Sequence, residues 1–175
     1  GRYPGFTGVW FDADNERAYV LTVAHFCERQ ECDYPWVVRK GDKGFQARLV
    51  GIDKKDDLAL LAIVKEGSPA PVSLAESDPT EGQAGAYYGY PHSSRLRRRD
   101  AVVRGKATNG DLLLATPPQQ GDSGGGFFVQ GRVGGVVWGG GGTDAVARPP
   151  TAIRRFLDRC RRKPSPSPAP TPRGN

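Results

Sequence analysis

A succession of short β-rich runs, each closed off by a turn, constrains this chain more than anything else in it. Thr7 to Phe11 and Ala18 to Val23 flank the polar turn Asp12-Ala13-Asp14-Asn15-Glu16 and read as a hairpin. Trp36 to Arg39 and Phe45 to Ile52 follow around Lys40-Gly41-Asp42-Lys43-Gly44, and Leu58 to Val64 is a continuous apolar strand. This half predicts a small closed antiparallel sheet. Glu66 to Gly85, rich in Pro, Ser, Gly and acids, is long enough to cross between two halves. Strand patterning resumes at Ala86 to Tyr90, Ala101 to Ala107, Asp111 to Ala115, Gly126 to Val129, Arg132 to Trp138 and Ala145 to Ala147, with a basic loop between Pro91 and Asp100. Because 24 Gly and 15 Pro break up the apolar runs, many short strands are favoured over long helices. The one good helix candidate is Pro150 to Arg162, with Pro near its start, Thr151 as cap, Ile153, Phe156, Leu157 and Cys160 on one face and arginines on the other.

A chain of 175 residues suffices for one domain or two small packed halves. A unit of ~150 residues buries about 70% of its unfolded surface, so a core forms without staples. Lys163 onward, Pro-Ser-Pro-Ser-Pro-Ala-Pro-Thr-Pro, reads as an extended linker or tail, and the natural polypeptide is expected to continue or be anchored beyond Asn175. Gly1 in place of Met marks an excerpt or a processed form. No run approaches the ~18 apolar residues of a membrane span.

The net charge of +6 gathers in two clusters: Arg95, Arg97, Arg98 and Arg99, then Arg154, Arg155, Arg159, Arg161, Arg162 and Lys163. Neither is interleaved with aromatics that stack on bases, so solvated loop and helix faces are the plainer reading and an anionic polymer or surface the other. Cys27 and Cys32 are close enough in a polar loop to form a disulfide, which would imply an oxidising compartment, or they stay unpaired. With His25 and His92 the cysteines fit no common structural zinc spacing.

The chemistry concentrates in Gln119-Gln120-Gly121-Asp122-Ser123-Gly124-Gly125-Gly126. One hydroxyl among glycines builds either a tight hairpin turn or an exposed nucleophile. A nucleophilic serine needs a base to take its proton and N–H groups to hold the oxyanion. Leu21-Thr22-Val23-Ala24-His25 delivers a histidine at a strand end, and Asp57 opens the apolar strand Leu58-Ala59-Leu60-Leu61. Alone, each has a structural reading: a satisfied histidine, and ordinary turn chemistry for the acid.

Together, in the order His25, Asp57, Ser123, these segments resemble the trypsin-like serine peptidases. Thr22-Val23-Ala24-His25 is similar to the family's histidine motif, Asp57-Leu58-Ala59-Leu60-Leu61 to its aspartate motif, and Gly121-Asp122-Ser123-Gly124-Gly125 to its serine motif. The resemblance covers about residues 5 to 160. It is nearer to compact bacterial, Deg-type members, through Tyr19-Val20-Leu21-Thr22, Val72 to Asp78 and Ala147 to Leu157. It implies an all-β fold of two six-stranded antiparallel β-barrels with the active site between them. The N-terminal barrel would span about 5–66 and the C-terminal barrel about 85–148, with a helix over about 150–162 and a tail at 163–175. It also implies Ser123 as nucleophile, His25 as base and Asp57 as its orienter, with Asp56 the rival for the acid role. Gly121 and Ser123 would form the oxyanion hole, where one donor is worth ~3 kcal/mol.

The family's substrate-pairing Trp-Gly is similar to Trp138 and Gly139, although Trp138 reads equally well as core. The pocket would be walled by Thr116 to Gln120 and by Val136 to Gly140, with Asp144 nearby and able to admit Lys or Arg. No Ile-Val-Gly-Gly-like start is present to pair with Asp122 after zymogen cleavage, so an internal partner, an arginine, is expected there. The resemblance implies a secreted or envelope serine endopeptidase acting on polypeptides without metal or organic cofactor. The alternative is a catalytically weak or inactive module that uses the fold, and its arginines, to bind an anionic partner.

Overall fold

The computed structural model describes residues 6–13, 17–27, 36–40, 43–64, 72–93 and 95–162. Eleven strands and one helix follow in order: β1 (Val9–Ala13), β2 (Arg17–Thr22), β3 (Trp36–Lys40), β4 (Lys43–Asp53), β5 (Leu58–Val64), β6 (Ala84–Gly89), β7 (Arg97–Lys106), β8 (Leu112–Leu114), β9 (Gly126–Val129), β10 (Arg132–Gly141), β11 (Asp144–Arg148) and α1 (Pro150–Arg162). The C-terminal half closes into the expected six-stranded antiparallel barrel, β10-β11-β8-β7-β6-β9. Bulges at Val103/Gly105, Val133/Gly135 and Val137/Gly139 supply the bends that closure needs. Of the six strands expected in the N-terminal half, the described residues contain five. Among the described residues these form an antiparallel sheet, β1-β2-β5-β4-β3, whose outer strands β1 and β3 do not meet.

Position in the sheet explains the uninterrupted apolar run of β5. It lies between β2 and β4, and Leu58 to Ile63 are all buried. Three apolar clusters result. Ala18, Val20, Phe26, Ala59, Leu61 and Ile63 fill the N-terminal sheet, and Tyr87, Val103, Leu112, Leu114, Phe127 and Val137 fill the barrel. The third joins the halves, with Leu21, Val23 and Leu58 meeting Val133 and Val136 under the helix residues Ile153, Phe156 and Leu157. Each such side chain contributes about 1.5–3 kcal/mol by leaving water, which is what fixes the helix and the relation of the halves. The described part of the crossing connection bonds to both halves: Val72 N–H donates to Trp10, Val133 N–H to Ser73 and Ala75 N–H to Val133.

Two expectations need revision. The basic stretch after Pro91 is not all loop, because β7 begins at Arg97, where Gly89 opposes it and the arginines can alternate between faces. The helix is capped by Asp78, whose Oδ1 accepts from both the N–H and the hydroxyl of Thr151 at 2.8 Å; with Pro150 already helical, Thr151 lies inside the first turn. The suggested Cys27–Cys32 clip and the tail from Lys163 lie outside the described residues in whole or part. No helix among them is long and apolar enough to cross a membrane.

Candidate active site

The chain leaves β2 at Thr22 and makes a single 3-10 turn over His25–Cys27, anchored by the buried side chains of Val23, Phe26 and Cys27. His25 is left at the surface between them, with a side chain 29% exposed. The Phe6 ring makes a T-shaped contact with it, 5.3 Å between centroids. The acid arrives from the turn before β5. There Asp53 Oδ1 accepts the N–H groups of Lys55 and Asp56, at 2.9 and 3.1 Å, and its other oxygen meets Arg159. Burial works to raise the Asp53 pKa, but these N–H groups and Arg159 outweigh it and hold the carboxyl below its ordinary range.

Asp57 then takes a left-handed backbone, φ 50°, an unfavourable conformation for a residue with a Cβ. Its carboxylate offsets that cost. Oδ1 accepts the N–H groups of Ala24 and His25 at 2.9 and 2.7 Å, and Oδ2 lies 2.7 Å from His25 Nδ1. An ionised carboxylate can only accept, so the His25 proton sits on Nδ1 and Nε2 is left as the basic nitrogen. Asp56 faces elsewhere, with Oδ2 3.3 Å from Arg159.

The serine loop is two successive tight turns, Asp122 N–H to Gln119 and Gly125 N–H to Asp122. Only glycine fits at two positions. Gly121 has φ 99° and any Cβ would lie 2.3 Å from the Tyr90 carbonyl; at Gly124, φ 88°, it would lie 1.8 Å from that of Thr7. The Gln120 carbonyl is taken by the His92 N–H at 2.7 Å, so the Gly121 N–H, across the same peptide plane, points away from His92. Among the described residues neither it nor the Ser123 N–H meets a protein acceptor. Ser123 Oγ is 3.4 Å from the Trp138 carbonyl oxygen, a loose contact.

Asp122, 1% exposed, has the internal partner expected of it. Arg99 of β7 brings Nε to 3.3 Å from Oδ2, which also accepts the Gln119 N–H at 2.8 Å. Nearby, burial pushes the Tyr87 hydroxyl up to about 12, Arg99 opposing and Asp122 adding to the shift. That hydroxyl donates to the Pro117 carbonyl and so steadies the segment leading to the serine.

Thr7 ties the two halves together at this site. Its N–H donates to the Ser123 carbonyl at 2.9 Å and its hydroxyl to that of Gly121 at 2.7 Å, while its own carbonyl accepts from Thr22 Oγ1 at 2.7 Å. Nothing local marks Thr7 in the sequence, since its partner Gly121 lies 114 positions away and Ser123 two further.

Beyond Val136, β10 keeps β11 on one side but has lost β9 on the other. Trp138 to Gly141 therefore form a strand edge beside Ser123, unpaired by any strand among the described residues, and Gly139 has open space where a Cβ would stand. Trp138 is half-buried against the central cluster, and its indole donates to Asp111 at 3.2 Å. Gln120 is exposed on the approach to the serine. Pro118 packs over Gly140, 2.7 Å from where a Cβ would be. Asp144 lies at the start of β11, with its carboxylate 3.3 Å from Arg104 Nε.

Solved structures share this fold. The Rv3671c protease of M. tuberculosis in its active form superimposes with a TM-score of 0.77 at 23% identity, over 94% of this chain and 76% of that one. The serine endoprotease of Yersinia pestis gives 0.77 at 21%, over 89% and 57%, and the HtrA-type protease AlgW, solved with a decapeptide, 0.76 at 21%, over 90% and 52%. The chain thus spans little more than half the length of the last two. No curated protein sequence matches it. Residues 6–136 match the family model of the trypsin-like peptidase domain, and the chain belongs to that family.

Proposed function

We propose that the chain is a serine endopeptidase working through His25, Asp57 and Ser123. The observation that carries this reading is the His25 Nδ1–Asp57 Oδ2 bond of 2.7 Å, which leaves Nε2 as a base for the Ser123 hydroxyl of the C-terminal half. Ser123 Oγ attacks the peptide carbonyl and its proton passes to His25 Nε2. The C–N bond then breaks as His25 returns that proton to the leaving amine. Water, deprotonated by the same imidazole, releases the acyl group and restores Ser123. Gly121 and Ser123 N–H groups hold the oxyanion in both halves. The substrate lies extended along Trp138 and Gly139, with Gln120 on the approach side.

Arg99 supplies the charge that fixes Asp122, so the loop forms without a cut N-terminus. Asp144 already faces Arg104, so a basic substrate side chain would have to compete for it. Arg98 and Arg99 of the first arginine cluster pair with Asp100 and Asp122, which weakens the case for an anionic-polymer binder. A secreted or envelope setting goes with this reading.

The test is labelling by a fluorophosphonate probe, expected for the intact chain and absent in Ser123→Ala and His25→Ala. No labelling of well-folded protein rules the reading out. A peptide-library cleavage profile then defines the pocket, and a preference for Lys or Arg would return Asp144 to it.

A further inference from the structure

Arg148 ends β11, and its guanidinium makes three contacts at once. Nη1 reaches both oxygens of Asp111 at 2.8 Å, the plane lies over the Trp138 ring at 4.9 Å, and Nε donates to the Asp56 carbonyl at 2.6 Å. Arginine and aspartate are both withdrawn from water, with side chains 12% and 2% exposed. Asn109 Nδ2 and Trp138 Nε1 complete the shell of Asp111, so the guanidinium has little freedom to turn. Nothing within the barrel requires the third contact, which crosses to the N-terminal half.

The Asp56 carbonyl belongs to the peptide plane that leads into Asp57. Rotating that plane changes φ of Asp57, and φ there is held at 50°, outside the favoured regions. A strained torsion persists only where its surroundings over-determine it. On one side the Ala24 and His25 N–H groups hold the Asp57 carboxylate. On the other, Arg148 holds the peptide behind it. We infer that Arg148 is a positioning residue for the acid of the triad, linking the edge strand at Trp138 to the orientation of Asp57 and through it to the His25 imidazole. The inference rests on the peptidase reading for its kinetic consequence, but not for its structural one.

Two variants keep a folded protein available. Arg148→Lys retains a cation opposite Asp111 but loses the planar fork that reaches Asp111 and Asp56 together. Arg148→Met with Asp111→Asn removes both charges, so that no buried carboxylate is left alone. The first readout is the proton NMR resonance of the His25 Nδ1–H, expected far downfield in the intact chain and moved upfield or broadened in both variants. The second is kinetics. kcat is expected to fall by up to about 100-fold, the cost of misplacing a group by roughly 1 Å, while KM stays within about threefold. A less well-placed Asp57 stabilises the imidazolium less, so the acidic limb of the pH–rate profile should move to lower pH. Folded variants with kcat within about twofold of the intact chain and an unmoved resonance overturn the inference. If the intact chain cleaves no peptide and takes no probe, it is the peptidase reading that fails, and the resonance still decides the link from Arg148 to Asp57.

Discussion

Two aspartates lie almost fully buried in the C-terminal barrel, each beside an arginine, and they are held in contrasting ways. Asp111 receives Arg148 on both oxygens at 2.8 Å and has two further donors. Asp122 receives Arg99 through one nitrogen at 3.3 Å, outside good hydrogen-bond alignment, and its Oδ1 has no hydrogen-bond partner among the described residues. The first pair is saturated and rigid, as suits a strut between the halves. The second is mainly Coulombic, with Arg99 21% exposed and able to reach water. Similar burial of the acid thus gives one fixed joint and one that holds a loop by charge.

The largest expected effect breaks the first joint. Asp111→Ala leaves Arg148 charged and enclosed, a loss of about 3–5 kcal/mol, or roughly 10 °C in Tm by thermal melting. Asp122→Ala should cost less, about 1–3 kcal/mol, because Arg99 can turn to solvent. Its effect on peptide cleavage should be the greater of the two for the protein that remains folded, about 100-fold or more in kcat, since the oxyanion donors lose their support. If Asp122→Ala proves the more destabilising, the contrast is wrong.

A smaller change separates the arginines. Arg99→Lys preserves a single-point charge contact and should keep kcat within about tenfold, roughly 1.4 kcal/mol. Arg148→Lys loses a fork and should cost more in stability. Equal losses in side-by-side denaturation and kinetics would mean that charge alone matters at both sites.

These joints also mark where reading the sequence stops. Strands such as Leu58 to Val64 were legible because burial on both faces writes a continuous apolar run between turn residues. The three motifs around His25, Asp57 and Ser123 were legible because each has local flanks. That the cation beside Asp122 is Arg99 depends on the register that sets Tyr87 against Arg99 and Gly89 against Arg97. The same register extends a strand into what reads as basic loop. Thr7, Arg148 and Asp78 act on partners far along the chain, and no spacing rule reaches that distance.

Asp78 carries the contrast to the surface, where the smallest effect is expected. Burial acts first to raise its pKa, but Lys106 at 2.8 Å and the Thr151 N–H and hydroxyl outweigh it, so the carboxyl titrates below its ordinary 3.8. A lowered folded-state pKa stabilises fully above the unfolded value and loses that contribution as pH falls through the folded one. Asp53, lowered in the same sense by the turn before Asp57 and by Arg159, adds to the same window. Thermal melts should therefore hold steady above about pH 4 and decline below it. Asp78→Asn should cost about 1 kcal/mol at neutral pH, within the range for a helix cap, and flatten part of that decline. Because Lys106 and Thr151 are open to water, the loss should also shrink with added salt. The loss in Asp111→Asn should respond less to salt, because the side chains of Arg148 and Asp111 are 12% and 2% exposed.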